Sequence, residues 1–110
     1  MESALYKDVK TSRGFNYRYY YSPAQTDKAT ILFLHGFPST SYDWSKVVPY
    51  FKARGYGIVV PDLLGYGGTS KPVDIQAFRA SLMAKDVIEL LDTENLSKVV
   101  VAGHDWYAVS

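Results

Sequence analysis

Unbroken apolar runs recur three times along the chain, at Ile31 to Leu34, Ile58 to Val60 and Val99 to Ala102. That is the pattern of strands buried on both faces of a parallel sheet. Ahead of them, Leu5 to Val9 alternates apolar and polar residues, and Phe15 to Tyr21 carries the aromatic-rich FNYRYYY. With Ser12 to Gly14 between them, these segments predict an antiparallel hairpin. The polar stretch SPAQTDKA, which contains Pro23, reads as an exposed loop. Between the apolar runs, Tyr42 to Arg54 is predicted to be helical and to stop at Gly55. Ile75 to Leu91 places Phe78, Leu82, Met83, Val87 and Leu90 at helical spacing and predicts a second helix. Strand, helix, strand, helix, strand implies βαβ crossovers. The expected fold class is therefore α/β, a hairpin leading into a mostly parallel, doubly wound sheet. Ligands of such sheets bind beyond the carboxyl ends of the parallel strands.

Composition narrows the class further. At 110 residues the chain holds one domain at most and falls short of a complete enzyme of this architecture. With 47% hydrophobic and 21% charged residues it has the make-up of a folded globular protein. A net charge of +1 with both signs interspersed leaves no electrostatic footprint for nucleic acid or an anionic membrane. A small neutral ligand fits better. The absence of cysteine excludes disulfides, thiolate metal sites and cysteine nucleophiles. No metal or cofactor is called for. The start, MESALYKDVK, lacks the basic and apolar regions of a secretory signal. No apolar stretch reaches the roughly 18 residues that span a bilayer, so a cytoplasmic location is the default expectation.

Three polar or glycine-rich segments follow directly on the three apolar runs: HGFP at His35 to Pro38, DLLGYGGTSKP at Asp62 to Pro72, and GHDWY at Gly103 to Tyr107. Parallel strands bring all three to one edge of the sheet. The third has the form of a nucleophile elbow, a sharp strand-to-helix turn with small neighbours that pushes one side chain into the site. Asp105 occupies the nucleophile position and Gly103 is the small residue before it. The plain alternative is an aspartate capping a helix after a strand.

The pair HGFP and GHDW, with DLLGYGGTSKP between them, resembles the epoxide hydrolases of the α/β-hydrolase fold, from Tyr6 onward. In that family an aspartate attacks an epoxide carbon to give an alkyl ester, which water activated by a histidine and acid pair then hydrolyses to the diol. The resemblance implies that Asp105 is the catalytic nucleophile. A carboxylate with a reference pKa of about 3.9 is ionised at neutral pH and needs no base for that first step. It places the oxyanion hole at the backbone N–H groups of Phe37 and Trp106, each donor worth roughly 3 to 4 kcal/mol when preorganised. His35, Gly36, Pro38, Gly103 and His104 are implied to support the loops, as is the Asp62 to Pro72 segment, whose Gly65, Gly67 and Gly68 permit tight turns. Phe15, Tyr17, Tyr19 and Tyr21 read as strand surface and core, because the family's ring-protonating tyrosines belong to a lid inserted later in the chain.

The relatives separate at two positions. Haloalkane dehalogenases share the aspartate but usually carry a polar, halide-holding residue where this chain has Phe37. Fluoroacetate dehalogenases share a similar HGFP but usually follow the aspartate with arginine, where this chain has Trp106. Serine esterases are disfavoured by Asp105 in the elbow. The family's small residue after the elbow tryptophan is Tyr107 here. Residues 1–110 are therefore expected to be the incomplete N-terminal portion of an α/β-hydrolase core domain, without its acid, histidine base and lid. The expected partners are a small hydrophobic epoxide and water, with no nucleic acid and no membrane. The chain by itself is expected to be inactive and to self-associate through an open sheet edge. A dehalogenase relative, a non-catalytic fragment and a binding pseudoenzyme are the alternatives.

Overall fold

The computed structural model describes residues 1–35, 40–96 and 98–103. Strands β1 (Tyr6–Lys10), β2 (Asn16–Ser22), β3 (Thr30–Leu34), β4 (Gly57–Pro61) and β5 (Val100–Gly103) form one five-stranded sheet in the order β1-β2-β4-β3-β5. β1 and β2 are the antiparallel hairpin, β2 joins β4 antiparallel, and β3 lies parallel to both β4 and β5. The expected α/β sheet with a leading hairpin is present. The hairpin turn closes through Thr11 N–H to the Phe15 carbonyl and Gly14 N–H to the Thr11 carbonyl, both at 2.9 Å. Gly14 takes φ +85°, which a residue without Cβ adopts freely.

Side-chain alternation sorts the apolar runs onto two covered faces. Tyr17, Tyr19, Leu32 and Val59 pack with Leu64 and with Leu90, Met83 and Val87 of helix α2 (Ala80–Thr93). Tyr20, Ile31, Phe33, Ile58 and Val60 pack on the other side with Val48 and Phe51 of helix α1 (Val48–Ala53). Ile58, Val59 and Val60 are wholly buried. Full burial of each such side chain contributes about 1.5 to 3 kcal/mol, so β4 is the anchor of the sheet.

Both expected helices are shorter than their patterns. The segment from Tyr42 divides into a 3-10 turn over Ser41–Trp44, capped by the Thr40 side chain, and α1. Pro49 is the physical reason, since it has no N–H to give a continuous helix and is tolerated only in a first turn, where α1 carries it. α1 ends as expected at Gly55, φ +87°, with the Tyr56 N–H reaching back to the Phe51 carbonyl at 3.2 Å. The segment from Ile75 divides at Arg79, whose backbone is extended, into a 3-10 turn over Ile75–Phe78 and α2. Nothing in the Arg79 side chain explains that break.

Polar contacts tie the hairpin to α2. Ser12 donates through N–H and Oγ to Glu89, Arg13 pairs with Asp86, and Lys7 and the Tyr19 hydroxyl both reach Glu94. The buried hydroxyls of Tyr17 and Tyr19 donate to Asp86 and Glu94 at 2.7 and 2.6 Å. Desolvation first, and the carboxylate acceptors next, push both phenols above the ordinary value of 10.0. The folded state therefore keeps protons that the unfolded chain releases, so this contribution is complete below pH 10 and is lost as pH rises further. Urea unfolding between pH 8 and 11.5 should show stability falling above pH 10 by about 1.4 kcal/mol per pH unit for each tyrosine. Tyr17→Phe should lower that slope by one tyrosine's share; an unchanged slope would assign the loss to other groups.

Candidate active site

The parallel register fixes which residues share the carboxyl edge of the sheet. Leu34 at the end of β3 pairs with Gly103 at the end of β5, so these two strands end side by side. Asp62 follows Pro61 at the end of β4. The three segments picked out by sequence thus start from one edge. Of the expected site residues, His35 and Gly103 lie among the described residues; Gly36, Phe37, Pro38, His104, Asp105 and Trp106 lie outside them.

His35 is 1% exposed, and its Nε2 accepts the Leu63 N–H at 2.9 Å. An imidazole nitrogen that accepts carries a lone pair, so the ring proton belongs on Nδ1. The lone pair that a general base would use at Nε2 is already engaged, and the Tyr66 ring stands edge-on to the imidazole at 5.4 Å. His35 is built to join two loops.

Asp62 joins the same two loops through its other partners. It is 4% exposed; Oδ1 accepts the Ser41 N–H at 2.8 Å and Oδ2 the Gly68 N–H at 3.1 Å. Its backbone N–H donates to the Arg18 carbonyl at 2.8 Å, and its carbonyl accepts the Thr69 hydroxyl at 2.6 Å. Thr69 Oγ1 in turn accepts the Arg18 N–H at 2.9 Å, which stitches the loop to β2. Gly67 makes the turn possible: its φ is +53°, and a Cβ there would fall onto the Asp62 carboxylate. At Gly65, φ +89°, a Cβ would press on the Phe78 ring. These glycines are required by close approach as well as by φ. The Tyr6 hydroxyl and Ser41 Oγ, 2.9 Å apart, close the β1 side.

Sequence reasoning gave this loop a general supporting role and did not single out Asp62, Thr69 or Ser41. The available signal was an aspartate at the end of a fully apolar strand, followed five positions on by a glycine in a GxGG turn. Among the described residues no cluster of His, Asp and Glu could hold a metal ion, and no helix is long and apolar enough to cross a membrane.

Residues 29–106 match the family of the alpha/beta hydrolase fold. The chain belongs to the α/β-hydrolase family. Within it, the chain is similar to an epoxide hydrolase of Caballeronia sordidicola, 41% identical over 78 residues, covering 71% of this chain and 24% of that protein. Epoxide hydrolase 4 of Homo sapiens is 36% identical over 88 residues, 80% of this chain and 24% of the relative. Among solved structures, epoxide hydrolase A of Mycobacterium thermoresistibile superposes with a TM-score of 0.83 at 32% identity, over 94% of this chain and 32% of that one. A Vigna radiata epoxide hydrolase mutant gives 0.83 at 33% identity, over 92% and 30%. The chain spans about a quarter of the length of the sequence relatives it matches and about a third of the solved ones.

Proposed function

We propose that this chain is the nucleophile-bearing part of an epoxide hydrolase. The observation that carries the reading is the coincidence of 41% identity to an epoxide hydrolase with three strand ends at one sheet edge, the third ending two positions before Asp105 in the sequence. The Asp105 carboxylate attacks an epoxide carbon; a carboxylate-to-carbon bond forms, the ring C–O bond breaks, and the released alkoxide takes a proton from an acid. Water then adds to the ester carbonyl, the backbone N–H groups of Phe37 and Trp106 hold the charge that builds on oxygen, and collapse releases diol and regenerates the carboxylate.

The second half-reaction needs a general base, and residues 1–110 contain two histidines. The Nε2 of His35 is committed to Leu63, and the family resemblance gives His104 a loop-supporting role. The base therefore comes from outside residues 1–110, and this chain alone does not sustain turnover. Joining the chain to the remaining portion of the 41%-identical relative, with glycine at position 107, should give a hydrolase that forms diol from a small hydrophobic epoxide. It should release no halide from a haloalkane and no fluoride from fluoroacetate. Halide release without diol would move the reading to a dehalogenase, and activity on none of the three would leave a binding role.

A further inference from the structure

The connection 36–39, which holds Phe37, is bounded by His35 on one side and by Thr40 and Ser41 on the other. Both flanks are hydrogen-bonded to adjacent residues of the β4 loop: His35 Nε2 to the Leu63 N–H at 2.9 Å, and the Ser41 N–H to Asp62 Oδ1 at 2.8 Å. The second Asp62 oxygen holds Gly68 at 3.1 Å, and Thr69 locks the Asp62 carbonyl at 2.6 Å. We infer that Asp62 is a positioning residue: its carboxylate, together with the His35–Leu63 bond, holds Ser41 and His35, the described residues on either side of the segment to which the proposed function assigns the Phe37 amide. This rests on the epoxide hydrolase reading for its catalytic consequence, and on the described hydrogen bonds for the clamp itself.

Asp62 does not touch the reacting atoms; it acts through the backbone. A carboxylate suits the task because it accepts at two oxygens without carrying a proton that would compete with the donors. The Ser41 and Gly68 amides are fixed by the chain path and cannot rotate to find other partners. Aspartate is also the length that fits. A Cβ at Gly67 would already overlap the carboxylate, so the longer side chain of glutamate has no room on that side. The bond from a buried amide to a charged acceptor is of the stronger kind, which makes the anchor stiff. Displacement by about 1 Å of a group that stabilises a transition state costs on the order of a hundredfold in rate.

The test has two arms. On the 110-residue chain, amide hydrogen exchange followed by NMR should show Ser41 and Gly68 losing protection in Asp62→Ala while the β4 amides keep theirs. Asp62→Asn, which can accept from one of the two amides only, should lose one. In the joined hydrolase described above, Asp62→Ala should lower kcat by about a hundredfold, with KM changed less than about threefold. Asp62→Asn should recover about tenfold of that loss. Asp86→Asn serves as a control that destabilises the fold away from the site, and its kcat should stay within about twofold. Unchanged Ser41 protection, or an equal kcat loss in Asp86→Asn, would overturn the positioning role. If the joined hydrolase with Asp62 and Asp105 intact turns over no epoxide, the functional reading fails, and the exchange arm still decides whether the clamp exists.

Discussion

Replacing Asp86 by alanine is expected to lower the unfolding free energy by about 3 to 5 kcal/mol, the cost of breaking a buried ion pair at one side. Asp86 is fully buried in α2 and accepts from Arg13 Nε at 3.0 Å, Arg13 Nη2 at 2.5 Å and the Tyr17 hydroxyl at 2.7 Å. Alanine leaves a guanidinium that is 16% exposed with its Ala77 carbonyl bond at 3.1 Å but no carboxylate, and a wholly buried phenol without its carboxylate acceptor. The exposed pair Arg18–Asp8, at 3.6 Å with 37% and 52% exposure, is the contrast. Asp8→Ala should cost less than about 1 kcal/mol. For a domain whose total stability is roughly 5 to 15 kcal/mol, only the first change threatens folding at ordinary temperature. Urea unfolding of both variants measures the difference, and a loss below 1 kcal/mol in Asp86→Ala would show that the network is not a support. The double replacement Arg13→Met with Asp86→Leu should recover most of the loss, because the penalty comes from the unpaired charge rather than from the absence of a salt bridge.

That network also marks where the sequence ceased to be informative. Apolar runs revealed β3, β4 and β5 because strands covered on both faces have no polar alternation to hide them. The hairpin was visible from its turn and its aromatic strand. The stripe of Phe15, Tyr17, Tyr19 and Tyr21, however, assumed one principal face, whereas Tyr20 is equally buried on the other, under α1. Period-two reading cannot distinguish an edge strand from a central one, and β2 is central. Asp86 and Asp62 were opaque for a different reason. Each carries a charge that local pattern assigns to solvent, and each is buried because its partners arrive from 73 and 21 residues away. Pro49 carries a signal that limits the first helix, which the Tyr42 to Arg54 expectation passed over, while the break at Arg79 has no such signal. The site followed the same division: strand ends were legible from the runs that precede them, and the hydrogen bonds that hold the loops together were not.

In the joined hydrolase, Asp105→Ala is expected to lower kcat by roughly 10⁴-fold or more, because in the proposed mechanism it removes the group that forms the covalent intermediate. The size of the loss does not by itself separate a nucleophile from a base that activates water, since either could be an aspartate. A single turnover in ¹⁸O-water makes the distinction. If Asp105 attacks the ring, the oxygen added to the diol comes from the carboxylate, and water replaces it during ester hydrolysis. The first diol then carries no heavy oxygen, and mass spectrometry of the peptide containing Asp105 finds one heavy atom in the side chain. If Asp105 were a base, water would attack the epoxide directly and the first diol would be labelled. Asp105→Asn adds a second contrast: a neutral amide is a poor nucleophile, so no ester should form with a reactive epoxide, even over long incubation. A labelled first diol, or turnover that survives Asp105→Ala, would remove Asp105 from its assigned role while leaving the α/β-hydrolase fold of the chain untouched.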